Sequence, residues 1–237
     1  MAKDKLKGII HFHSRYSYDS NTSIESILTF AEKANLDFVL LTDHDTTEGA
    51  MKLRSMAESV GLKIEVPVCA EYSTEFGDVI GAFLGQDIIF NSYSELIESI
   101  KEQGGIVMLP HPFYKHKDIE MLANDSDMIE IFNPYLAEGY NKKAEDLSMR
   151  YGKAGFYGSD SHLKQSLFNV IVYVENKGDL KSSLLEGVMH CENIGNVNPY
   201  EKSITQIIKS FKRRSPKLLL LSVLKLSKIF FLRLFYR

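Results

Sequence analysis

The stretch GIIHFHSRYSYDS, residues 8–20, ends an apolar run with His11 and His13 and places Asp19 six residues after the second histidine. On a strand, residues i and i+2 point the same way, so the two imidazoles can share one cation. Imidazole is the commonest side-chain ligand for transition metals, and carboxylates complete borderline-to-hard sites. Further along lie Asp43 and His44 in TDHD, Glu71 in AEYST, His111 in LPHPF, Asn133 in IEIFN, and Asp160 and His162 in GSDSH. Five histidines with Asp19, Asp43, Glu71 and Asp160 exceed what one ion takes. Two or three ions, bridged by a carboxylate such as Glu71, are the natural count. A cluster of that kind lowers the pKa of bound water and clamps the oxygens of a phosphoryl group. No thiolate belongs to the set, which argues against a structural zinc knot. Taken singly, His116 and His190 read as surface or core residues, and Asp45 as the cap of the helix after TDHD.

Residues so far apart need a frame that gathers them. The sequence alternates short apolar runs with amphipathic stretches. KGIIHFH, DFVLLTDHD, KIEVPVCAEYST, DVIGAFLG, GIVMLPHPF, MIEIFN, GFYGSDSH and NVIVYVEN read as strands, the last being the final one expected. Between them, helices are expected to open at the capping boxes Thr22–Glu25 and Ser92–Glu95, to end at Gly61 and at Gly104-Gly105, and to include KKAEDLSMRYG. Strand–helix alternation predicts parallel βαβ units, and strands apolar on both faces suit a doubly covered sheet or barrel. Each polar candidate falls at a C-terminal strand end, where a parallel barrel gathers its active site.

The 237 residues are 44% hydrophobic and 25% charged, as in a globular domain with a sizeable core. MAKDKLKG shows no secretory signal, and Cys69 and Cys191 form no CxxC, so a reducing, cytoplasmic setting is expected. The net charge of −3 hides an asymmetry: residues 201–237 hold ten Lys/Arg and a single acid, Glu201. An acidic body with a basic end predicts a partner for that end.

The motifs HFHSRYSYDS, TDHD, LPHPF and GSDSH, in that order and with AEYST and IEIFN between them, resemble the polymerase and histidinol phosphatase (PHP) domain over roughly residues 7–175. The resemblance implies a distorted (β/α)7 barrel, a trinuclear site for Mn, Zn or Fe, and phosphoester hydrolysis by a metal-bound hydroxide. By motif, His11, His13, Glu71 and Asp160 would hold the first ion. Glu71 would bridge to a second, also held by His111, and Asp19, His44 and His162 would hold the third. The first motif has one more residue before its aspartate than the commoner form. Many members carry a histidine where this chain has Asp78, which either substitutes as an oxygen ligand or is a turn residue after Gly77. Asp160 or His162 would manage protons. Arg15, Lys115, His116, Lys117 and Lys164 are either phosphate clamps or solvated charges.

The function this implies is a metal-dependent phosphoesterase, with nucleotide phosphatase or 5′–3′ exonuclease-like activity leading. Histidinol phosphate or phosphotyrosine as substrate, a non-catalytic metal- or phosphate-binding module, and a C–N hydrolase on a similar barrel are the alternatives. The carboxylated lysine typical of that last class has no counterpart, because no lysine sits at a strand end.

The expected organisation is a barrel over 1–198 and a basic, apolar helical tail over 199–237. In SPKLLLLSVLKLSKIFFLRLFYR the longest uncharged run, Leu218–Leu224, is far short of the ~20 apolar residues a spanning helix needs. Pro216 suits the first turn of a helix. Residues 215–237 therefore read as a helix packed on the barrel or a second subunit, as an imperfectly amphipathic helix on an anionic membrane surface at the inner leaflet, or, through KSFKRR, as a nucleic-acid contact.

Overall fold

The computed structural model describes residues 3–192, 197, 198 and 200–235, with 228–235 described by their backbone. Arg237 and the side chains of Lys228 and Arg233, counted above in the basic tail, lie outside what is described. The chain order is β1 (Lys5–Phe12), α1 (Ile24–Lys33), β2 (Phe38–Leu41), α2 (Glu48–Ser59), β3 (Cys69–Thr74), β4 (Gly77–Ala82), α3 (Tyr93–Glu102), β5 (Ile106–Leu109), α4 (Ile119–Asp125), β6 (Met128–Phe132), α5 (Glu138–Tyr151), β7 (Ala154–Tyr157), β8 (Ile171–Glu175), α6 (Leu180–Glu186), β9 (Met189–Glu192), α7 (Glu201–Lys212) and α8 (Pro216–Phe235). The strands form two sheets, ordered β2-β1-β8-β9 and β3-β4-β5-β6-β7.

Two expectations need correcting. The sheets are mixed: β1·β2, β5·β6 and β6·β7 are parallel, whereas β3·β4, β4·β5, β1·β8 and β8·β9 are antiparallel. Only Glu75 and Phe76 separate β3 from β4, and so short a loop can join antiparallel strands only. Nor do the strands close into one (β/α)7 barrel. Among the described residues the two sheets meet through isolated parallel bridges, Phe12↔Ser161 and His44↔Glu71. The strands are short, and the backbone turns left-handed at His11 (φ 59°) and Asp160 (φ 46°), beside the first of those seams, so no ladder continues there.

Local signals worked to within a residue. The side chain of Ser23, not Thr22, caps α1 by accepting from the Ser26 N–H. Ser92 caps α3 as expected, but the Glu95 carboxylate accepts from the Asn91 N–H rather than from Ser92. Asp45 caps nothing; it accepts from the Ser73 N–H and so ties the end of β2 to β3. β2 (FVLL) and β5 (IVML) are buried along their whole length, as the apolar runs required. Cys69 is buried and Cys191 half-buried, both as free thiols. Missing from the sequence reading are α4, α6 and β9.

The C-terminal segment is helical, as two helices packed on one another. α7 is sharply two-faced. Among the described side chains α8 is mixed: Leu220, Leu221, Val223 and Leu224 are exposed, Leu218, Leu219 and Leu226 are half-buried, and Ser222 is buried. No helix among the described residues is long and apolar enough to cross a membrane.

Candidate metal centre

The strand-end residues converge at the seams. Strand periodicity is not the reason that His11 and His13 meet. The β1–β2 register slips between Ile10 and Phe12, so His11 occupies a bulge with left-handed backbone, and His13 lies beyond the strand. A bulge re-aims a side chain, and here it turns two imidazoles onto one carboxylate. His111 (φ 29°) and Asp160 are left-handed as well. Such conformations cost roughly 1–3 kcal/mol each and concentrate at functional sites.

Glu71, fully buried, is the hub; it sits inside β3, three residues before its last residue Thr74, and not at the strand end expected. Its Oε2 lies 3.4 Å from His11 Nε2, 3.3 Å from His13 Nε2 and 3.3 Å from His44 Nδ1, and its Oε1 lies 3.1 Å from His111 Nε2. Asp160 Oδ1 is 3.6 Å from His11 Nε2 and 3.5 Å from His13 Nε2. Asp19 spans His44 (3.5 Å) and His162 (3.4 Å) with its two oxygens.

The hydrogen bonds around the cluster fix the imidazole tautomers. His11 Nδ1 lies 2.7 Å from Glu130 Oε1, so Nδ1–H donates outward and the Nε2 lone pair faces Glu71. Ser17 Oγ donates to Asp43, which leaves its lone pairs to accept from His13 Nδ1–H at 3.1 Å and from the His44 N–H. His162 Nδ1–H donates to the Asp160 carbonyl. Three rings thus turn bare Nε2 atoms inward. The buried atoms His11 Nε2, His13 Nε2, His44 Nδ1, Glu71 Oε2 and Asp19 Oδ1 have no hydrogen-bond partner. Buried polar atoms left unpaired side by side are costly, and a cation is the partner that suits them all.

Three groups with converging ligand atoms follow among the described residues: His11–Glu71–His111, His11–His13–Asp160 and His13–His44–His162. Nitrogen and oxygen donors without thiolate fit Mn, Fe or Zn. The charges agree. Burial opposes protonation of His111 and His162, yet Glu71 in one case and Asp19 with Asp160 in the other lift both to about 9. Burial and the neighbouring His162 and His44 push His13 down to about 3. Despite burial, the imidazoles hold Glu71, Asp19 and Asp160 below the usual carboxylate range.

Not every candidate is placed here. Asp43 is buried under Ser14 and Ser17, accepting from the backbone N–H and hydroxyl of each, and so shapes the β1–α1 loop instead of facing the cluster. Asp78 lines the cleft, accepts from Ser73 Oγ and belongs to none of the three groups. His116 bonds the backbone carbonyls of Asp78 and Tyr114. Arg15 is exposed and does not line the cleft, so the structure does not support it as a catalytic phosphate clamp. Lys115 lines the cleft; Lys117 and Lys164 do not.

Sequence reasoning missed Glu130, which anchors His11, accepts from the His111 N–H (2.6 Å) and receives Asn133 Nδ2. Its signal was an acid inside the apolar run MIEIF, which only a buried partner could justify. Asn133 bridges Glu130 and Asp160. Gly158 is required because a Cβ there would collide with Glu130 Oε1.

Also missed was the place of α7, which forms one wall of a cleft of about 270 Å³ over the cluster. Lys202 and Lys209 reach that cleft from α7, and Lys225 from α8. The buried Glu201 pins the start of α7 by accepting from Tyr135 and Ser166. At its other end, Lys212 Nζ donates to the carbonyls of Arg15, Ser17 and Ser20, at 2.6–2.7 Å. Tyr18 stacks on His44 (4.6 Å, 5°) and carries Lys209 (4.3 Å) and Arg213 (4.0 Å) against its ring. No motif marks these residues as functional; only their position does.

A model of the PHP domain matches residues 10–214, a span that includes α7. The chain is 34% identical to the uncharacterized protein MJ1587 of Methanocaldococcus jannaschii, over 56% of this chain and 85% of that protein. Among solved structures, it resembles a two-domain protein from Bacteroides vulgatus containing a predicted PHP-like metal-dependent phosphoesterase, with TM-score 0.68 at 19% identity, covering 79% of this chain and 64% of that one. An amidohydrolase from Chromobacterium violaceum with bound sulfate gives TM-score 0.56 at 16% identity, covering 83% and 95%. At these identities the likeness to solved structures is one of fold.

Proposed function

Because the chain belongs to the PHP domain family, we propose that it is a metal-dependent phosphoesterase whose ions sit on His11, His13, Asp19, His44, Glu71, His111, Asp160 and His162. The observation that carries this reading is the set of unpaired inward-facing atoms around Glu71. Divalent ions there supply a lowered water pKa and a positive clamp for phosphoryl oxygens. The protein's own part is orientation. Glu130, Ser17 and the Asp160 carbonyl hold three imidazoles in the tautomer that offers Nε2. Asn133 Nδ2 fixes one Asp160 oxygen and leaves the other to the cluster. In this reading Asp160 and His162 are ligands first, and the clamp expected of Arg15 passes to Lys115, Lys202, Lys209 and Lys225, which surround the cleft.

A small phosphate ester or a nucleotide suits a half-open cleft with a basic wall; 5′–3′ exonuclease-like action is the extended form of the same proposal. The C–N hydrolase alternative is less well supported. The cleft's lysines come from the segment after β5 and from α7 and α8, not from a strand end where a carboxylated lysine would bridge two ions. The test is phosphate release from an aryl phosphate with added Mn²⁺ and with chelator, followed by nucleotides and 5′-labelled oligonucleotides. Turnover that needs metal and disappears with chelator is expected; amide hydrolysis without phosphate release would overturn the assignment.

A further inference from the structure

The α7–α8 hairpin also carries a bare apolar surface. Five large apolar side chains are bare on it: Phe211 (67% exposed), Leu220 (61%), Leu221 (55%), Val223 (44%) and Leu224 (58%). Elsewhere exposed large hydrophobics occur singly, at positions such as Val60 or Ile89, as on any soluble surface. Four of the five fall within five consecutive residues of one helix, and a contiguous bare patch of this kind marks an interaction site.

The charge around the patch selects the partner. After Glu201 the chain contains no acidic residue to its end, while Arg214 and Lys217 are exposed where α7 turns into α8. The other basic groups of the turn are already engaged: Lys212 on three loop carbonyls, Arg213 on Tyr18. At 100° per residue, Lys217 lies on the same side of α8 as Leu220 and Leu224, the arrangement in which a lysine stem runs along apolar surface and its ammonium reaches outward. A second copy docking through the same face would set two acid-free helices side by side. A nucleic acid would meet the cations but gain nothing from leucine. No helix among the described residues is long and apolar enough to cross a bilayer, but one lying in its interface satisfies both sets of groups.

We propose that the bare surface of α8, with Arg214 and Lys217, docks this protein on an anionic lipid surface, the leucines entering the headgroup boundary. The test is co-sedimentation of the full chain with phosphatidylcholine vesicles and with vesicles also containing phosphatidylglycerol, across a salt series. Binding is expected with the anionic vesicles only, weakening as salt rises. It should fall at least ~10-fold in Leu220→Ser/Leu221→Ser/Leu224→Ser and, independently, in Arg214→Glu/Lys217→Glu, because both apolar insertion and lipid charge contribute. None of these residues touches the metal cluster, so turnover of a soluble aryl phosphate should stay as in the parent. Equal sedimentation of parent and charge-reversed protein would overturn the proposal. So would a salt-resistant dimer that the serine variant dissolves, or displacement from vesicles by an oligonucleotide.

Discussion

His11, His13 and His162 each spend Nδ1–H on a protein acceptor and keep Nε2 for the cluster, and of the three acceptors only Glu130 is a carboxylate. That makes Glu130 the most informative residue outside the ligand set. Glu130→Gln removes the charge but keeps the size, and ion affinity should fall by roughly 10–100-fold, read by metal titration. His11→Ala and Asp160→Ala remove ligands outright: hydrolysis should be lost and elemental analysis should show fewer ions per chain, with the far-ultraviolet circular dichroism unchanged. Less than one ion in metal-replete wild type would reject the multinuclear reading. Asp78 belongs to none of the three ligand groups, so Asp78→Ala should leave the metal content unchanged. A fall in metal content would restore it as a stand-in oxygen ligand.

Among the elements, the β1–α1 loop and α7 act as one unit. Asp43 gathers the loop from inside through Ser14 and Ser17; Lys212 gathers it from outside through three carbonyls. Between them lie Tyr18 and Asp19, the latter facing His44 and His162. Lys212→Met keeps the stem and loses the ammonium. The melting temperature should drop by roughly 2–4 °C, the size of a ~1 kcal/mol loss in a chain of this length, and an ion held by Asp19, His44 and His162 should bind more weakly. Unchanged metal occupancy would reduce Lys212 to a surface contact. At the β7 end, Gly158→Ala forces a methyl against Glu130. Overpacking of that kind costs about 1–3 kcal/mol, and here it should weaken ion binding as well as folding.

For the whole molecule, the cluster links metal, protons and stability. In the metal-free protein His111 and His162 have pKa values raised from 6.5 to about 9. Their contribution to stability is complete below 6.5 and disappears as pH rises through 9. Glu71, Asp19 and Asp160 are depressed, so their contribution is present above the usual carboxylate range and fades only in acid. Thermal melts with chelator should therefore weaken from pH 6.5 to 9, whereas melts with Mn²⁺ should not, since ions replace the protons. Adding metal to the chelated protein near neutral pH should release protons, measurable in weak buffer. A chelated protein equally stable at pH 6 and pH 9 would contradict this pattern.

By itself the sequence picked out the residues that gather at the cluster, their order along the chain and most strand positions, because histidine and carboxylate recurring beside apolar runs have few other uses. It also placed the start of α8 at Pro216, whose ring fits a first helical turn and little else. Tertiary structure alone decided the rest. That His11 meets His13 through a bulge depends on a register slip between strands. The mixed sheets depend on a two-residue turn after β3 whose consequence is set by pairing partners. Glu130, Asn133 and Lys212 bear on the site through residues up to 197 positions away, and nothing local to them records the partner. Basic residues that read from the sequence as a separate tail became the wall of the cleft, because where a helix packs is set by the surface it covers, not by its own periodicity.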